Sequence, residues 1–120
     1  MNRYVIAAVA DMFFASKIRA AADHLGVEIR FVRSTEMLTS AAREGAPDLI
    51  LVDLHSTNLD PIELAKAFQA DADLRSIPML GFFSHVEKEL QERAKQAGYK
   101  YVLPRSAFAN RLGSILQGEI

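Results

Sequence analysis

The chain has no cysteine. That excludes disulfides, thiolate metal sites and a cysteine nucleophile, and it fits a reducing cytoplasm. It also lacks a strong charge of either sign. With a net charge of −1, nothing global steers the protein toward nucleic acid or an anionic membrane. No apolar run approaches the roughly 18 residues of a membrane span. The apolar stretch that follows Met1-Asn2-Arg3-Tyr4-Val5-Ile6 is broken by Asp11 and has no cleavage signature, so the opening reads as a strand rather than a leader. Repeats, low-complexity tracts and linkers are missing too.

What is present is a regular alternation. Residues 5–10 form a short apolar run, read as a buried strand. From about residue 13 to 25, Phe14, Ile18, Ala21, Ala22 and Leu25 recur at helical spacing, and Gly26 stops that helix. Residues 28–33 read as an edge strand carrying basic side chains. Residues 35–44 read as a helix with Met37, Leu38, Ala41 and Ala42 inward, ended by Gly45 and Pro47. Residues 49–52, Leu-Ile-Leu-Val, are the most apolar run and suit a strand buried on both faces. Asp60-Pro61-Ile62-Glu63 combines a capping aspartate, a proline at the first helical position and a glutamate three residues after the cap. That helix is expected to run to about residue 72.

Residues 78–83 read as the fourth strand. Ser84-His85-Val86-Glu87 has the form of a capping box opening a polar helix that ends at Ala97-Gly98. Residues 99–103 give the fifth strand, and Ser106 is expected to cap a last helix with Phe108, Leu112, Ile115 and Leu116 on one face. Five strand–helix pairs with short connections imply an α/β fold, a parallel sheet covered on both sides. The 120 residues suit a single domain, 1–120.

Asp53 ends the most apolar strand, and ligands of open parallel sheets collect at the carboxyl ends of their strands. A carboxylate there can serve as nucleophile, metal ligand or salt-bridge partner. A glycine-rich phosphate loop is missing after the first strand, where Asp11-Met12-Phe13-Phe14 is acidic and bulky. No Ser-His-Asp order or histidine cluster offers another catalytic set, so an enzyme is not expected. Asp53-Leu54-His55 matches the start of a cobalamin-binding motif, but that motif needs glycine where Asn58 stands, and it sits on a different loop.

With Asp53, Ile77-Pro78 before the fourth strand, Ala97-Gly98 before the fifth, and Arg105 seven positions after that glycine, the whole chain resembles the receiver domains of two-component response regulators. The resemblance implies a flavodoxin-like (βα)5 three-layer sandwich with strand order 2-1-3-4-5. It implies Asp53 as phosphoryl acceptor, Mg²⁺ held by Asp11, Asp53 and the backbone carbonyl of His55, and a cytoplasmic, bacterial phosphorelay setting. A histidine kinase or other signalling protein is the implied partner, with no nucleic acid or membrane, and the chain is expected as a stand-alone monomer or weak homodimer.

Several positions depart from the family pattern. Ala10 stands where the first member of the acidic pair belongs, which weakens the expected cation site. Counting from Pro78 puts Phe83 at the position of the phosphoryl-binding threonine or serine. Ser84 is the candidate switch hydroxyl if the count shifts by one. Arg105 replaces the family's lysine, and its planar fork can hold a carboxylate, Asp53 or Asp11, in the metal's place. For Asp11 the other reading is an N-cap of the first helix. These departures favour a receiver with a degenerate phosphorylation site that acts through protein–protein contacts. The alternatives are a phosphorylation-independent scaffold and, with least support, a small nucleotide binder. Residues of the polar fourth helix (Glu87, Lys88, Glu89, Gln91, Glu92, Arg93 and Lys95) read as a solvated face.

Overall fold

The computed structural model describes residues 3–84 and 86–120, so the expectations touching Met1, Asn2 and His85 lie outside the described residues. Five parallel strands, β1 (Tyr4–Ala8), β2 (Glu28–Phe31), β3 (Leu49–Asp53), β4 (Met79–Phe83) and β5 (Tyr101–Pro104), form one sheet in the order 2-1-3-4-5. The flavodoxin-like architecture expected from the sequence is present. Helix α1 (Met12–Leu25) lies with α5 (Arg105–Asn110) and α6 (Leu112–Leu116) on one face. Helices α2 (Thr35–Glu44), α3 (Pro61–Gln69) and α4 (Lys88–Ala97) cover the other.

The central strands are apolar throughout because their alternate side chains feed two cores. Leu49 and Leu51 of β3 pack with Phe14, Ile18 and Ile115, whereas Ile50 and Val52 pack with Leu38, Ala65 and Phe68. Phe82 and Phe83 divide in the same way. Phe82 stacks on Phe108 at 4.9 Å and meets Phe14 edge-on at 5.4 Å; Phe83 packs into the opposite core. Both rings are buried, so neither serves as a ligand platform.

Local signals placed most boundaries, and competing backbone partners moved the others. Gly26 ends α1 in the left-handed region at φ 71°, as glycine allows. Asp60 caps α3 by accepting from the Ile62 and Glu63 amides. That helix stops at Gln69 rather than near residue 72, because Asp71 builds its own turn: its carboxylate accepts from the Asp73 amide and its carbonyl from Leu74 and Arg75.

Two expected caps are not used. Helix α4 begins at Lys88 with Glu87 at its N-cap position and no side-chain cap bond, so Ser84-x-x-Glu87 is not a capping box; Ser84 is exposed on the bend after β4. The last helix begins at Arg105 behind Pro104, with Ser106 already inside its first turn. It is also interrupted at Arg111, which leaves two short helices.

Candidate functional site

The carboxyl ends of β1, β3 and β5 bring Asp11, Asp53 and Arg105 to one edge of the sheet. Asp53 is the last residue of β3, in register with Phe82 of β4, and is half-buried. The chain turns sharply behind it: the His55 amide donates to Asp53 Oδ1 at 2.9 Å and the Ser56 amide to the Asp53 carbonyl at 3.1 Å. The carboxylate is thereby oriented by its own loop.

Asp11 serves in two ways at once. Its Oδ1 accepts from the Phe13 and Phe14 amides at 2.9 and 3.1 Å and caps α1. Its Oδ2 accepts from the Arg105 guanidinium at 3.0 Å. The Phe14 amide first, and then Arg105, hold its carboxyl below the usual carboxylate range. Of the two carboxylates open to Arg105, the structure selects Asp11. No hydrogen bond or ion pair joins Arg105 to Asp53 among the described residues.

Phe14 lies beneath Arg105, with the guanidinium carbon 4.1 Å from the ring centroid. The sequence marked Phe14 only as an inward helical residue; its second use, as a cation–π platform, has no signal in spacing. A guanidinium at the first position of α5 opposes the helix dipole, and the pairing with Asp11 offsets that misfit. Side-chain exposures of 37% and 38% make this a partly solvated pair of modest strength.

As arranged, this donor set offers a magnesium ion fewer open groups than a typical receiver does. Mg²⁺ needs free oxygen ligands in near-octahedral geometry. Both oxygens of Asp11 are engaged, Ala10 offers none, and no group of three or more acidic or histidine side chains converges among the described residues. At the end of β4, Phe83 is 6% exposed and packed into the core, so it presents no hydroxyl. Ser84, the candidate switch hydroxyl, stands on the exposed bend next to it.

No family model matches the chain. The polar-differentiation response regulator DivK of Brucella ovis is 34% identical over 73 residues, 61% of this chain and 59% of that relative. The chain thus matches rather more than half the length of these curated relatives. Among solved structures, the chemotaxis response regulator CheY4 of Vibrio cholerae superposes with a TM-score of 0.84 at 17% identity, covering 100% of both chains. The Mn²⁺-bound form of response regulator Rcp1 does so with a TM-score of 0.78 at 15% identity, covering 97% of this chain and 90% of that one. The chain thus shares the fold of these solved response regulators along its whole length, and over 73 residues its sequence is similar to that of the response regulator DivK.

Proposed function

We propose that this chain is a divergent receiver module of two-component signalling, one that works through protein–protein contacts and accepts a phosphoryl group at Asp53 weakly. The observation that carries this reading is the Arg105–Asp11 pair. It puts a fixed cation on the carboxylate that a typical receiver offers to its metal. Ala10 and the buried Phe83 deplete the same reaction from two further sides. The partner is a histidine kinase or another signalling protein.

The test is incubation with acetyl phosphate and Mg²⁺, read by intact-protein mass. Labelling joins an Asp53 carboxylate oxygen to phosphorus and releases acetate. The expected result is weak, substoichiometric labelling. Stoichiometric labelling that Asp53→Asn abolishes overturns the degenerate-site reading. A complete lack of labelling, with partner binding unchanged in Asp53→Asn, favours the phosphorylation-independent scaffold.

A further inference from the structure

A groove of about 550 Å³ opens at the carboxyl ends of β1 and β2, lined by residues from the loop after β1, from α1, from the end of β2 and the loop after it, and from the loop after β3. Its volume suits a small organic ligand. In an open parallel sheet, the crevice beyond the strand ends where neighbouring connections diverge is the favoured ligand position. Here the chain leaves β1 for β2 on one side and later reaches β3 on the other, and the groove spans that divergence.

The lining carries two cations and no carboxylate. Val9 and Phe31 supply apolar wall; Arg19 and Arg33 supply charge; Asn58 adds an amide. Neither arginine enters an ion pair among the described residues. The Arg19 guanidinium rests over the Phe31 ring at 5.0 Å, which restrains it beside the groove. Ala10 also lines the groove, at the position where the family pattern has an acidic residue, and an aspartate there would bring a negative charge toward the arginines.

From this arrangement we infer that the groove binds a small organic anion with a phosphate or carboxylate head and a flat apolar body. The head pairs with Arg19 and Arg33, which offer planar donor forks to such groups. The body lies against Val9 and Phe31. The groove's lining includes neither Asp53, Asp11 nor Arg105, so this binding stands apart from phosphoryl transfer.

The probe is 1-naphthyl phosphate, titrated into the ¹⁵N-labelled full chain and followed by amide shifts. Inorganic phosphate and 1-naphthol serve as the two halves of the ligand. Saturable shifts are expected at Ala10, Arg19, Arg33 and Asn58, and much weaker ones with either half. Arg33→Ala and Ala10→Asp, both at exposed positions, are each expected to weaken binding about tenfold, the scale of one charge-assisted hydrogen bond. Asp53→Asn is expected to leave it unchanged, so failure here is distinct from failure of the receiver reading. The inference is overturned by an absence of shifts at these residues at millimolar probe. Equal binding of either half, or affinity indifferent to both Arg33→Ala and Ala10→Asp, overturns it as well.

Discussion

Arg105 donates to Asp11 Oδ2 at 3.0 Å, tying the start of α5 to the cap of α1 across the mouth of the sheet. The folded Asp11 carboxyl lies below its ordinary value of 3.8. A depressed folded pKa contributes stability above the unfolded pKa and loses it as the pH falls through the folded one. Asp11→Asn keeps an Oδ1 acceptor for the cap but removes the charge. Its melting temperature is expected below wild type at pH 7, with the gap closing below about pH 4. Asp11→Ala, which also loses the cap, is expected to fall further. A gap of the same size at pH 7 and pH 3 would show that the charge of Asp11 contributes nothing.

Arg105→Lys addresses the chemistry directly. Lysine is a compact point charge without the planar fork, and it stacks less well on Phe14. Release of Asp11 is expected to raise acetyl phosphate labelling of Asp53 above wild type. Unchanged labelling would mean that Ala10 or Phe83 sets the limit.

Phe83→Thr supplies the hydroxyl typical of receivers at that position, at the expense of the core. Phe83 is 6% exposed and packed among side chains of the α2–α4 face. Replacing so large a ring is expected to destabilise the fold by about 3 kcal/mol in urea titration. A loss within about 0.5 kcal/mol, the range of ordinary surface substitutions, would mean that the ring contributes little packing.

The fold was legible because its signals are local and mutually consistent. The unbroken apolar run before Asp53 suits a strand covered on both faces, its short length and flanking polar turn arguing against a helix, and Asp60-Pro61 and Gly26 mark helix ends by their own backbone chemistry. The last turns before and after strands were not legible in the same way. The Asp71 carboxylate takes the Asp73 amide into a turn of its own beyond α3, and Ser84 has the composition of a cap without its position. In the site, the chemistry of arginine pointed to a carboxylate partner, but only the three-dimensional approach of α1 and α5 selects Asp11 over Asp53. The cationic groove draws on residues from four separate segments, and no spacing rule joins them.

Tyr99 offers an alkaline test of the opposite face. Its hydroxyl donates to the Pro61 carbonyl at 2.9 Å, fastening the start of α3 to the chain just before β5. Burial, and then the negative charge of Asp60, push its phenol far above the ordinary value of 10.0. A raised folded pKa contributes stability in full below the unfolded pKa and loses it as pH rises beyond it. Tyr99→Phe is expected to lose about 1 kcal/mol at pH 7, the net worth of a typical hydrogen bond. By pH 11 the wild type should have given up that advantage. An advantage that persists undiminished at pH 11 would sink the assignment.

Gly81 and Leu54 are coupled by want of space. A β-carbon on Gly81 would lie 2.7 Å from Leu54 Cδ2 and 2.9 Å from its Cγ, closer than side chains tolerate. Leu54 is buried and follows Asp53 directly, so a displaced Leu54 also disturbs the turn that orients the candidate acceptor. Gly81→Ala is expected to destabilise by about 1–3 kcal/mol, the usual penalty of overpacking. Shortening Leu54 makes room for the new methyl. In urea denaturation, the Gly81→Ala/Leu54→Ala double variant should therefore lose less than the sum of its single variants. Strict additivity would place the strain of Gly81→Ala elsewhere in β4, and Asp53 labelling would then be indifferent to it.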